Sequence, residues 1–112
     1  MLSEGMASRL TFHVSGSAQW HHRPVYAEIV HRARHAGLAG ASVLHAMEGF
    51  GAHLRVHEDH VSRLSEHGPC VVVIIEEKQK LDDFVASLAD ILRVCGVAIV
   101  DTVEIHVPRA ES

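Results

Sequence analysis

Residues 9 to 14, Arg9-Leu10-Thr11-Phe12-His13-Val14, alternate polar and apolar, which places Leu10, Phe12 and Val14 on one face of a strand. The segment from Ser15 to Arg23 is small and polar and reads as a loop. Pro24 then suits the first turn of a helix, where its missing N–H costs nothing. Tyr26, Ile29, Val30 and Ala33 follow at i, i+3, i+4 and i+7, and Gly37 stands where a left-handed cap would end the helix, so a helix is predicted from about 24 to 36. Ala41 to Glu48 looks extended, bounded by Gly40 and Gly49. From Phe50 to Gly68 the chain is polar, with four histidines, two arginines and three acids, and reads as a long loop of the kind that is usually functional.

Cys70 to Ile75 is a continuous, mostly β-branched run, the mark of a strand buried on both faces. Leu81, Phe84, Val85, Leu88, Leu92 and Cys95 fall at helical spacings closed by Gly96, predicting a second helix. Val97 to Val100, then Val103, Ile105 and Val107 before Pro108, predict one or two further strand pieces. The order βαββαβ is the ferredoxin-like pattern of the α+β class, two helices on one face of an antiparallel sheet. Two helices cover one face only. The runs at 71–75 and 97–100 are apolar on both, so the pattern predicts that another copy of the chain shields the second face.

A length of 112 residues fits one domain, placed at residues 8–108, with 1–7 and 109–112 expected to be flexible termini. No apolar run approaches the roughly 20 residues of a membrane span, and Met1 to Ala7 lacks the basic and apolar stretches of a secretory leader. A cytoplasmic protein without direct membrane insertion is therefore expected. Cys70 and Cys95 have no partner at metal-ligand spacing and read as small core hydrophobes. The formal charge of −4 treats eleven histidines as neutral; partial protonation at pH 7 adds about two to three charges, leaving a weakly negative chain. With no basic stripe, nucleic acid is not an expected partner.

The most informative local motif is Glu48-Gly49-Phe50-Gly51, where glycines let backbone N–H groups approach an anion. Leu54 occupies the third position of a Rossmann fingerprint and no Walker lysine follows, so by itself the motif equally describes a permissive turn. No serine sits in a nucleophile elbow and no carboxylate pair is set for acid–base work, so no catalytic residue is assigned and the chain is read as a non-enzyme. His31 and His35 at i, i+4 on the first helix, and His53, His57 and His60 in the long loop, leave open a histidine-rich metal-binding or metal-tolerance protein. No third ligand is forced into either group, and no metal residue is assigned.

Several segments in order carry a resemblance. Arg23-Pro24-Val25-Tyr26-Ala27-Glu28-Ile29-Val30, Ala36-Gly37-Leu38-Ala39-Gly40-Ala41-Ser42-Val43-Leu44, Glu48-Gly49-Phe50-Gly51, Arg55-Val56-His57, Arg63-Leu64-Ser65-Glu66 and the run at 71–75 resemble the PII-like family catalogued as domain of unknown function 190. The resemblance implies a homotrimer of ferredoxin-like subunits that binds an adenine nucleotide, AMP, ADP or ATP, in its clefts. It also implies regulation of a transporter or enzyme target through the 50–67 loop. Gly49, Phe50 and Gly51 would form the loop base beside the ligand. The chain passes from Cys95-Gly96 directly into Val97, without the glycine- and lysine-rich phosphate loop of classical PII proteins, which favours a smaller nucleotide than a triphosphate. No firm cofactor follows beyond that nucleotide. Arg55 and His57 would supply charge-assisted bonds to phosphate, and Arg23 and Trp20 a second cation and a stacking surface, each equally readable as a solvated loop side chain or, for Trp20, a subunit contact. An accessory subunit of a membrane transporter is a further alternative.

Overall fold

A computed structural model describes residues 4–45, 68–94 and 96–108. Its elements in chain order are β1 (Gly5–Ser15), β2 (Gln19–Trp20), β3 (Arg23–Pro24), α1 (Val25–His35), β4 (Ser42–His45), β5 (Pro69–Glu76), α2 (Lys78–Ser87), α3 (Ala89–Leu92) and β6 (Val97–Ile105). β4, β5, β1 and β6 form one antiparallel sheet in that spatial order, the ferredoxin-like arrangement. β2 and β3 pair separately.

Alternation sets the core. Leu10, Phe12 and Val14 of β1 lie opposite Ile74, Val72 and Cys70 of β5, and all six are fully buried. Val25, Ile29 and Ala33 of α1 pack onto them with Leu81 and Phe84 of α2, Leu88 and Ile91. Cys70 is fully buried and its thiol pKa is pushed up by that burial, so it is an inert small hydrophobe; Cys95 lies outside the described residues.

Three sequence expectations need correction. The polar segment from Ser15 to Arg23 is not all loop: Trp20 pairs with Arg23 across a two-residue hairpin whose turn residues, His21 and His22, have φ of 49° and 69°. Nothing in the residue types signals it, because such turns favour Asn-Gly, not His-His. The second helix starts at Lys78 and breaks at Leu88, whose N–H bonds the Val85 carbonyl in a tighter turn, and Ile91 rather than Leu92 is wholly buried beyond the break. The final strand is one piece, the first of the two forms the pattern allowed. Gly5, Met6 and Ala7, expected in a flexible terminus, pair with Ile105, Glu104 and Val103.

The second face of the sheet is open. By register it carries Leu44, Val71, Val73, Ile75, Val97 and Ile99, with Leu44 58%, Ile99 49% and Val97 46% exposed. In its midst Arg9 of β1 donates to Asp101 of β6 through Nε and Nη2, at 3.1 and 2.6 Å. Val100 is exposed for another reason: it faces the helices, but β6 is an edge strand that they do not reach.

Candidate functional site

The connector between α1 and β4, Ala36 to Ala41, is built almost wholly of glycine and alanine. Gly37, at φ +74°, turns the chain out of α1, and the Leu38 N–H returns to the Ala33 carbonyl. Its far end is held by one buried carboxylate. Glu76, the last residue of β5, accepts the Ala39 N–H at 2.7 Å and the Glu77 N–H at 2.9 Å. Burial alone would raise the pKa of this carboxyl, but the Glu77 and Ala39 N–H groups and nearby Lys80 outweigh it, so the pKa lies below its usual value and the group stays ionised.

A second clamp fixes the helix that feeds the connector. Arg32 of α1 donates Nε to Glu28 at 2.9 Å and grips Asp90 of α3 with both terminal nitrogens, at 2.9 and 3.0 Å. The Arg32 hydrogen bond holds the Asp90 carboxyl at about 2. Arg32 itself is raised by Asp90 first and Glu28 second, so this triad is charged at every working pH.

Two cavities flank the connector. One, of about 310 Å³, is lined by Ala39, Gly40, Ala41 and Ser42 with Val73 and Ile75 of β5. The other, of about 350 Å³, lies on the helix side, lined by Val30, Ala33, Arg34 and Leu38 with Ala39 to Ala41. Both fall at the lower end of small-ligand sites. The first has a particular placement: Ser42 lies opposite Val73 in the β4–β5 register, and Val73 and Ile75 point away from the buried set, so this cavity opens onto the uncovered sheet face.

Of the seven ligand candidates singled out from sequence, two, Trp20 and Arg23, are among the described residues. Gly49, Phe50, Gly51, Arg55 and His57, and the whole 50–67 segment, lie outside the described residues. Trp20 is partly buried against the core and meets His21 edge-on at 4.8 Å. Arg23 is largely exposed and reaches Glu28 at 3.5 Å. The two side chains therefore share a hairpin but line neither connector cavity. The lining residues Ala39 to Ser42 are small and have no periodicity, so their signal in the sequence is only a run of small residues around Gly40.

The DUF190 family profile (Uncharacterized ACR, COG1993) matches residues 7–105, from the first strand to the last. The chain belongs to the DUF190 family. Among curated relatives of this DUF190 chain, a UPF0166 protein of Aquifex aeolicus (strain VF5) is 32% identical over 66 residues, 59% of this chain. A second UPF0166 protein of that strain is 26% identical over 70 residues, 62% of this chain. The matches span 63% and 73% of those relatives' lengths. Solved structures agree with the family on the fold. CPII, a nitrogen regulatory PII-like protein from Thiomonas intermedia K12, bound to ADP, AMP and bicarbonate, superposes with a TM-score of 0.68 at 11% identity, covering 96% of this chain and all of that one. Its apo form superposes with a TM-score of 0.65 at 12% identity, covering 95% and 98%. The DUF190 chain thus has the PII-like, ferredoxin-like fold.

Proposed function

We propose that this DUF190 chain is a PII-like regulator, not an enzyme, that binds an adenine nucleotide against the α1–β4 connector, at a cleft between copies of a homotrimer. The observation that carries the reading is the cavity of about 310 Å³ lined by Ala39 to Ser42, Val73 and Ile75, open to the uncovered sheet face. Small residues leave room for a flat ring, Val73 and Ile75 supply an apolar wall, and connector backbone groups supply directional bonds. A second copy packed on the open face would close the cavity, so ligand binding and assembly would stabilise each other. The PII-like neighbour bound to ADP and AMP supports the ligand class. On this reading Gly49, Phe50 and Gly51 form the loop base beside the ligand, Arg55 and His57 bond its phosphate, and the 50–67 segment meets a transporter or enzyme target in the cytoplasm.

Titration calorimetry of the untagged chain with AMP, ADP and ATP tests this. Heat with at least one nucleotide is expected, and no heat with any of them, at protein concentrations well above micromolar, would refute it. Light scattering tests the assembly: three times the monomer mass is expected, and a monomer mass at micromolar concentration refutes the cleft.

A further inference from the structure

Eight of the eleven residues of α1 leave its buried stripe of Val25, Ile29 and Ala33, and two of them are histidines one turn apart. His31 and His35 are both exposed. Their rings are already neighbours, with centroids 4.4 Å apart and planes at 66°. Among the described residues neither imidazole takes part in a hydrogen bond or a salt bridge, so nothing there competes for their nitrogens.

The electrostatic setting favours a cation. His35 is the last residue of α1, at the negative end of the helix dipole. Of the two flanking arginines, Arg32 is neutralised between Glu28 and Asp90, which leaves Arg34 as the opposing charge. Two imidazoles on one face of a formed helix offer paired nitrogen donors to a borderline-soft divalent ion at little ordering cost, with water completing the coordination.

We propose that His31 and His35 form a two-imidazole clamp for a divalent transition cation, copper(II) most tightly. The preference follows the Irving–Williams order, since two imidazoles impose no geometry of their own. The clamp lies on the opposite face of α1 from its buried stripe and is independent of any nucleotide.

The experiment is titration of the untagged full chain with copper(II) alone, followed by calorimetry and electron paramagnetic resonance. The chain carries nine further histidines, so the difference between variants is the readout. In the wild type one ion per chain is expected with two nitrogen donors. H31Q or H35Q should weaken that site at least about tenfold by removing the chelate, and leave one nitrogen at most. The double variant H35A/A36H keeps the histidine count but moves one ring off the face, and should behave like H35Q. Both positions are exposed, so the variants retain the fold. Absence of copper binding by the wild type, or unchanged affinity and nitrogen count in H31Q and H35Q, overturns the proposal. So does wild-type binding by H35A/A36H.

Discussion

Gly96 sits between α3 and β6 at φ +89°, and a Cβ added there would lie 2.5 Å from both Cε1 and Cζ of Phe12 and 3.2 Å from the His13 carbonyl oxygen. Ordinary carbon contacts begin near 3.5 Å, so the Phe12 ring would have to move by about 1 Å. It has nowhere to go: Phe12 is fully buried, with Val72 opposite it on β5 and Ala98 on β6. Overpacking of this kind costs about 1–3 kcal/mol. Forcing alanine into left-handed backbone adds about 1–2 kcal/mol, and the stiffer unfolded chain returns about 0.4–1 kcal/mol. Gly96→Ala should therefore destabilise by about 1–5 kcal/mol, a large part of a small domain's stability.

Gly37 supplies the control. Its φ is +74°, and nothing lies within 4 Å of a Cβ built there, so Gly37→Ala meets the backbone cost alone, about 1 kcal/mol net. Urea denaturation at one fixed protein concentration, without ligand, measures both, since a self-associating chain has concentration-dependent stability. The difference between them isolates the contact with Phe12. In a Phe12→Leu background the clash is relieved, so Gly96→Ala should cost at least about 1 kcal/mol less there than in the wild type. Equal midpoints for Gly96→Ala and Gly37→Ala, or strict additivity with Phe12→Leu, would refute the packing account.

The remaining predictions concern the site and its supports. Gly40 borders both connector cavities, and a Cβ there meets nothing within 4 Å; Gly40→Leu should fold normally yet weaken nucleotide binding at least about tenfold, as read by calorimetry. Glu76 and Asp90 have carboxyl pKa values held below their ordinary ones, Asp90 at about 2, so each contributes stability that is present above its unfolded pKa and lost as pH falls through the folded value. Denaturation midpoints should therefore fall below about pH 4.5, and Glu76→Gln or Asp90→Asn should flatten that limb. Replacing His21-His22 by Asn-Gly relieves two positive φ values and should raise stability by about 0.5–1 kcal/mol in thermal melts. Val73→Lys puts a charge at the centre of the open face and should give a monomer by light scattering with unchanged far-ultraviolet circular dichroism.

The elements whose signal is local were legible in the chain. Leu10, Phe12 and Val14 alternate, and all three are buried where alternation puts them. The break at Leu88 was not legible because α2 and α3 share one buried side: Leu81, Phe84, Leu88 and Ile91 keep a helical spacing straight across it. The hairpin was hidden for the opposite reason. Its turn is made by residues with no preference for positive φ, and its stability comes from Trp20 packing on the core, a tertiary contact that no local pattern carries. Glu76 carries no local signal either; its work is to hold a connector 37 residues earlier in the chain.

That bond joins two features which the sequence presents separately. Along β5 one set of side chains, Cys70, Val72 and Ile74, fills the monomer's core, while the other, Val71, Val73 and Ile75, faces outward, and the strand ends on the carboxylate that pins Ala39. Val73 and Ile75 thereby serve the uncovered face and the cavity wall at once. A strand buried on both faces needs both covers before it is fully stable, and here the second cover would also seal the cavity. Loosening the connector with Glu76→Ala should accordingly weaken nucleotide binding and shift assembly toward monomer together, measured by calorimetry and light scattering on one preparation. Loss of one with the other untouched would show that the connector cavity and the open face are independent.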